Sequence, residues 1–301
     1  MEKKITVGIM SPGDMGSAIA KVLTESGVKV LTALDGRSKL THIRAQEAGI
    51  LDVGSLDRLV KSSDLFLSVL VPAEALALAG QVAEAAKKTG HSPVYADLNA
   101  IAPETVKKIG AIMASAGITF IDGGIIGSPP VRGRKGTRIY CSGPDTSALE
   151  SIAQSGLDIR RVGTVVGQAS GLKMVYAAST KGITALWTDL LVAARALGLE
   201  EALMAEFKMS GVNFGEVGGR VTSMPRRARR WVREMEEIAK TFESVGLTPK
   251  MLQGAADIYR LVGATPLSDQ TSREPDPTTD VLLQTLVERA RSSQADRLPS
   301  I

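Results

Sequence analysis

Cysteine occurs once in the 301 residues, as Cys141, and histidine twice, as His42 and His91. A single thiol excludes an intramolecular disulfide and a thiolate metal cluster, and it suits a reducing, cytoplasmic setting. Cys141 sits in an apolar strand pattern and reads as a small core residue. With so few imidazoles, none among the candidate catalytic groups, a serine–histidine triad or a zinc hydrolase has little basis, and no metal is expected. His42 falls in an early helix, and His91 in the turn-like Lys-Lys-Thr-Gly-His-Ser-Pro, which predicts a solvent-facing ring. There is no transmembrane run, and Met-Glu-Lys-Lys-Ile-Thr-Val leads into a strand without the apolar stretch of a secretory signal. The net charge of +4 is spread along the chain, short of the concentrated basic footprint of a nucleic-acid binder. Neither nucleic acid nor membrane is therefore an expected partner.

Apolar residues make up 44% of the chain, enough for one large core or two moderate ones, and the length favours two domains. Short apolar runs near 5–10, 28–34, 65–71, 93–97, 118–122 and 137–142 alternate with amphipathic stretches such as 72–88 and 103–116. That alternation is the βαβ signature, and continuous runs such as Leu65-Phe-Leu-Ser-Val-Leu-Val71 suit a parallel sheet covered on both faces. From Gly167 the texture becomes helical, punctuated at Gly198, Gly211, Pro225, Gly246 and Gly263. The predicted fold is α/β: a doubly wound, Rossmann-type parallel sheet over 1–166, then an all-helical domain over 167–301. The polar stretch from Arg291 to Ile301 is expected to fray.

Within the first strand–turn–helix the chain reads Val-Gly-Ile-Met-Ser-Pro-Gly-Asp-Met-Gly from Val7 to Gly16. A buried strand delivering the backbone to a turn with few side chains, followed by a helix with free N–H groups, suits a pyrophosphate. Ser11, Gly13 and Gly16 occupy the Gly-x-Gly-x-x-Gly positions, so the first glycine is replaced by serine. Pro12, Asp14 and Met15 complete the candidate cofactor turn. Ligands of doubly wound sheets bind beyond the carboxyl ends of the strands. The segments there are Val71-Pro72-Ala73, Asp97-Leu-Asn-Ala-Ile-Ala-Pro103 and Asp122-Gly-Gly-Ile-Ile-Gly-Ser-Pro-Pro130.

With these segments the chain resembles the β-hydroxyacid dehydrogenase family, which includes 3-hydroxyisobutyrate and 6-phosphogluconate dehydrogenases. Ser11 to Gly16 match its Gly-x-Gly-x-Met-Gly turn, and Asp97 to Pro103 its Asp-x-Ser-Thr-x-x-Pro segment. Ile126-Gly127-Ser128 align with the substrate loop, and Gly167 to Ala177 with Gly-x-Gly-x-x-x-Lys-x-x-x-Asn. The resemblance implies that Lys173 is catalytic and that Ser68, Val71, Pro72 and Asn99 border the nicotinamide ribose and ring. It also implies a homodimer formed through the helical domain. Ile126 and Ala177 depart from the family's serine and asparagine, which puts ordinary 3-hydroxyisobutyrate activity in doubt. The helical half is similar to a subgroup described as phosphogluconate-dehydrogenase-like.

An ammonium near a cationic nicotinamide, partly desolvated, has a lowered pKa suited to general acid–base work on a hydroxyl or carbonyl. Tyr176 and Thr180 follow Lys173 at helical spacing and are second candidates for holding the substrate oxygen. Gly124 and Gly127 would let substrate approach the backbone, and Ser128 supplies a donor. Asp35 stands where a ribose-binding carboxylate favours NAD, whereas Arg37 and Ser38 suit a 2′-phosphate; the balance tips to NADP, with NAD the alternative. Arg226, Arg227, Arg229, Arg230 and Arg233 are answered by Glu234, Glu236 and Glu237, the pattern of a solvated helix with internal ion pairs. The alternative is a clamp for an anionic substrate. The expected activity is hydride transfer between a nicotinamide and a small hydroxylated substrate. An imine reductase and a non-catalytic nucleotide sensor are the alternatives; imine-reducing relatives commonly replace the lysine.

Overall fold

A computed structural model describes residues 5–271 and 274–295, and the chain divides into two compact units, 1–174 and 175–301. The first unit alternates strands and helices. They are β1 Thr6–Met10, α1 Asp14–Glu25, β2 Lys29–Thr32, α2 Lys39–Glu47, β3 Leu51–Asp52, α3 Leu56–Ser62, β4 Leu65–Ser68 and α4 Ala75–Thr89. Then come β5 Val94–Asp97, α5 Pro103–Ser115, β6 Phe120–Ile126, β7 Arg138–Ser142, α6 Ser147–Glu150, β8 Asp158–Gly163 and α7 Gln168–Ala177.

The strands form one sheet in the order β3-β2-β1-β4-β5-β6-β7-β8. All pairs are parallel except β6 with β7, which run antiparallel around the 127–137 loop. Every residue of β4 and β6 is buried, as continuous apolar runs in a doubly covered sheet require. Helix α1 turns Ile19, Ala20, Val22 and Leu23 onto one face of the sheet, and α4 and α5 cover the other with Leu78, Val82, Val106 and Ile109. Cys141 lies fully inside β7, and burial pushes its thiol up to about 11. The ring of His91, expected in solvent, is half-buried instead, with Nε2 2.8 Å from the carbonyl of Ser63.

The second unit consists of α8 Ile183–Ala196, α9 Glu200–Met209, α10 Phe214–Thr222, α11 Ala228–Ser244, α12 Lys250–Gly263 and α13 Thr279–Ala295. A wider π turn, Ala178–Gly182, joins α7 to α8. Gly198, Gly211 and Gly246 follow the ends of α8, α9 and α11 with φ of +70°, +72° and +80°, a region that favours glycine. Met235, Ile238 and Ala239 of α11 are buried, as are Leu252, Ala256 and Tyr259 of α12. Of the stretch expected to fray, residues 291–295 continue α13 and 296–301 lie outside the described residues.

Candidate active site

Strand β1 pairs with β2 on one side and β4 on the other, so the direction of winding reverses there and a crevice opens beyond the strand ends. Just past β1, the Ser11 N–H donates to the carbonyl of Val69 at 3.1 Å and the Gly13 N–H to that of Ser11 at 2.8 Å. Gly13 precedes α1 without any side-chain cap, and a Cβ there would meet nothing within 4 Å. At Gly16 a Cβ would fall 2.2 Å from the Ser11 carbonyl oxygen, so only glycine fits. Pro12 is buried and Ser11 and Met15 half-buried, while the exposed Asp14 carboxylate pairs with Arg44 at 2.5 Å. An open, uncapped helix start whose one acidic side chain is already engaged by arginine has the free N–H groups and dipole end that could hold an anion such as a pyrophosphate.

Beyond β2, Asp35, Arg37 and Ser38 are all exposed. The Asp35 carboxylate oxygens lie 3.7 and 3.8 Å from where a Gly54 Cβ would sit, and Ser38 caps α2, its Oγ accepting from the Thr41 N–H at 3.3 Å. Arg37 makes no ion pair among the described residues. Beyond β4, Val71 is exposed and Pro72 half-buried. Their approach is set by Asn99, which is almost fully buried: its Oδ1 accepts from the Leu70 N–H at 2.6 Å, and its Nδ2 donates to Ser68 at 2.8 Å and Asp97 at 2.9 Å. Those bonds explain why β4 ends at Ser68 rather than at the predicted Val71, since the ladder donor at residue 70 turns to a side chain.

Strand register places Ser68, Asp97, Asp122 and Ser142 side by side across β4, β5, β6 and β7, all fully buried. Two residues earlier on the same face, Phe66, Tyr95 and Phe120 stack in a matching row. Burial pushes Asp97 up to about 7, against the hydrogen bonds from Asn99. Asp122 is also pushed up by burial, opposed by the donors on it. Its Oδ2 accepts from Ser142 Oγ at 2.7 Å and from the N–H groups of Gly167, Ala169 and Ser170 at 2.9, 3.0 and 3.2 Å. One carboxylate thus collects the free donors at the start of α7.

That anchorage seats Lys173. A Cβ added to Gly124 of β6 would fall 2.9 Å from both the Ala169 carbonyl oxygen and Lys173 Cβ, so α7 lies directly on a strand without a side chain there. Gly124, expected to admit substrate, has its open side filled by the helix that carries Lys173, which is itself half-buried. Gly127 is exposed with φ +124°, and a Cβ would fall 2.5 Å from the Gly136 carbonyl oxygen, so it closes the hairpin loop; Ser128 beside it is exposed.

In the helical unit, Tyr176 is exposed and Ala177 buried, and the Thr180 hydroxyl donates to the Ala177 carbonyl at 3.2 Å. The π turn then points Lys181 at Glu234, 3.0 Å away, with side chains only 11% and 12% exposed. Tyr259 Oη donates to the Lys181 carbonyl at 2.6 Å, and Lys181 Nζ lies 5.5 Å from the centre of the Trp231 ring. The arginine stretch is tied less to its own helix than the sequence predicts. Arg226 pairs with Asp276 and Arg229 with Asp269, while Glu236 turns to Arg260 and Glu237 to Lys240; Arg230 meets its expected partner, Glu234, at 3.3 Å.

Residues 6–155 match the NAD binding domain of 6-phosphogluconate dehydrogenase, and 194–262 match a domain of unknown function, DUF1932. The structure of MTH1747, a conserved protein of unknown function described as structurally similar to 3-hydroxyacid dehydrogenases, is 31% identical. The match covers 87% of this chain and 100% of that one, with a TM-score of 0.66. The chain belongs to the β-hydroxyacid dehydrogenase family. An uncharacterized 28.5 kDa protein of Methanothermus fervidus is 29% identical over 84% of this chain and 97% of its own. A Mycobacterium tuberculosis 3-hydroxyisobutyrate dehydrogenase, 18% identical, shares the fold with a TM-score of 0.70 over 94% of this chain and 99% of its own.

Within this family of nicotinamide-dependent dehydrogenases, the residue that sequence reasoning passed over is Asp122. Its one local signal is a carboxylate inside an otherwise apolar strand. The three N–H groups it holds stand 45 to 48 residues further along, which no local pattern reveals.

Proposed function

We propose that the protein is an NAD(P)-dependent oxidoreductase that moves a hydride between a nicotinamide and a small hydroxylated substrate, hydroxyacid or alcohol, with Lys173 as general acid–base. The observation that carries this reading is the seating of Lys173 on Gly124 by the hold of Asp122 on the start of α7. Residues 1–166 hold the dinucleotide and 167–301 complete the substrate and dimer surfaces. The open start of α1 fits a pyrophosphate, with Ser11 to Met15 around it and Val71, Pro72 and Asn99 bordering the nicotinamide end. Arg37, without an ion pair among the described residues, supports a 2′-phosphate and hence NADP over NAD. The bound nicotinamide supplies or accepts the hydride. Lys173 takes the hydroxyl proton as the carbonyl forms and returns it in the reverse direction. The Thr180 hydroxyl hydrogen is engaged by Ala177, so its oxygen is left to accept from a substrate hydroxyl. Tyr176 stands exposed close by in sequence as a second hydrogen-bonding group, and Gly127 and Ser128 border the substrate loop.

A homodimer is supported by Val175, Ile183 and Leu186, which are 56%, 47% and 61% exposed along the α7–α8 run. Among the described residues no helix is long and apolar enough to cross a membrane, and the one buried thiol fits a cytoplasmic enzyme. The test is a screen of hydroxyacids, alcohols and the matching aldehydes and ketones with both cofactors. Turnover with NADP preferred is expected. Cofactor binding with no turnover of any member would leave a nucleotide sensor.

A further inference from the structure

The family resemblance places Asn99 at the nicotinamide end, yet its amide has no hydrogen left to donate to a ligand. Both Nδ2 hydrogens are engaged, by Ser68 Oγ at 2.8 Å and by Asp97 Oδ2 at 2.9 Å, and the side chain is buried. Its Oδ1 accepts from the Leu70 N–H at 2.6 Å. Asp97, fully buried, turns both oxygens to this one residue: Oδ2 accepts from the amide and Oδ1 from the Asn99 backbone N–H at 3.0 Å. A carboxylate only accepts, so it draws Nδ2 toward itself and leaves Oδ1 facing Leu70. The amide turned over would set Nδ2 against the Leu70 N–H, donor against donor. Asp97 therefore decides which end of Asn99 meets Leu70.

The segment held in this way lies between two turns. Val69, next to Leu70, donates its N–H to the Met10 carbonyl at 2.6 Å, and its own carbonyl accepts from the Ser11 N–H at 3.1 Å. Residues 69 and 70 thus tie the turn after β1 to Asn99, which follows β5. Val71 and Pro72 come next, and Pro72 opens a short 3-10 turn in which the Glu74 N–H donates to the Val71 carbonyl at 3.0 Å. The proline ring fixes its own φ, so the placing of Val71 rests on the bonds at 69 and 70. A ligand lying from the start of α1 across the ends of β4 and β5 passes over this two-residue tie.

We propose that Asp97 and Asn99 are positioning residues that touch neither cofactor nor substrate: Asp97 orients the Asn99 amide, the amide holds Leu70, and Leu70 sets Val71 and Pro72 against the nicotinamide half of the dinucleotide. The hold on Leu70 is independent of what binds; its service to a nicotinamide rests on the proposed dehydrogenase function. A direct nicotinamide ligand at Asn99 would differ, since its loss would leave the Leu70 N–H as protected as before.

Two measurements on the full chain test this, both at pH 8, where an Asp97 carboxyl pushed up to about 7 is ionised. The first is amide hydrogen exchange without nucleotide. The Leu70 N–H should be protected in the parent and exchange about 10-fold faster in Asn99→Ala, the loss of one hydrogen bond. Asp97→Asn, which puts a donor where a carboxylate oxygen accepted, should quicken the same amide by about 3- to 10-fold. The second is calorimetric titration with NADPH and with 2′-phospho-ADP-ribose, which lacks the nicotinamide, and with NADH and ADP-ribose as the matching pair. Both variants should weaken the dinucleotide by about 10-fold and the shortened ligand by less than about 2-fold. Circular dichroism confirms the fold of each variant, and Asp97→Asn carries the test if Asn99→Ala does not fold. Leu70 exchange at the parental rate in either variant, unchanged affinity for the dinucleotide, or equal weakening of both ligands would each overturn the proposal. A parent that binds no dinucleotide, with Leu70 exchange still quickened in the variants, fails the dehydrogenase reading and with it the role toward nicotinamide. A parent that binds, with variants unchanged at Leu70, fails this proposal alone.

Discussion

In the sheet unit, Asp97 and Asp122 lie wholly inside and their oxygens accept from backbone N–H groups, Asn99 and Ser142. In the helical unit, Lys181 and Glu234 face each other as side chains, and Arg227 donates to the Ser223 carbonyl beside the Trp231 ring. The difference separates two uses of a buried charge. A carboxylate bonded to backbone donors fixes where a helix begins, and here that helix carries Lys173. A side-chain ion pair instead ties the π turn to α11. In the sheet unit a buried charge sets where a helix starts, and in the helical unit it joins two elements through their side chains.

Asp122→Ala attacks the first use most severely. It strands the N–H groups of Gly167, Ala169 and Ser170 and the Ser142 hydroxyl in a buried site, and urea unfolding should show a loss of about 3 kcal/mol or more. A loss under about 1 kcal/mol would mean that α7 is held by packing instead. Gly124→Ala leaves the carboxylate intact but drives a methyl into Ala169 and Lys173, so α7 must shift. The fold should survive while kcat falls about 100-fold, the usual consequence of a misplacement near 1 Å. Unchanged kcat would separate the seating of Lys173 from its function.

Asp97 gives a pH signature. Its folded pKa of about 7 lies above the ordinary 3.8, so the folded state binds the extra proton between those values. Stability should therefore fall as pH rises from about 4 to about 7 and then level off, by at most about 4 kcal/mol. Asp97→Asn should flatten that slope, read as melting temperature at pH 5 and pH 8; an unaltered slope would assign the titration to another group. The smallest effect belongs to the helical surface, where the Arg229–Asp269 pair is 59% and 64% exposed. Arg229→Ala should cost about 0–1 kcal/mol, and a larger loss would make the ion-paired exterior of that unit structural.

Much of the sheet was legible because apolar runs with helical spacers encode βαβ units directly, and the six strands foreseen are present. Strands β3 and β8 were not foreseen. β3 has two residues, and β8, Asp-Ile-Arg-Arg-Val-Gly, is a charged edge strand whose polarity hides its pairing. The tight turn between β1 and α1 was legible from glycine spacing, since Gly16 has no room for a Cβ. The anchor of Lys173 and the partners of Arg226, Arg229 and Glu236 were not, because each bond joins residues distant along the chain. The π turn at Ala178–Gly182 was equally silent, lying within an alanine-rich run that reads as plain α-helix.

The most direct measurement pairs nucleotide affinity with turnover in Lys173→Ala, using the best substrate from the two-cofactor screen. The account predicts an unchanged dissociation constant for the cofactor and a kcat lowered by about 100- to 10,000-fold. Turnover that survives the substitution at the parental rate would contradict it.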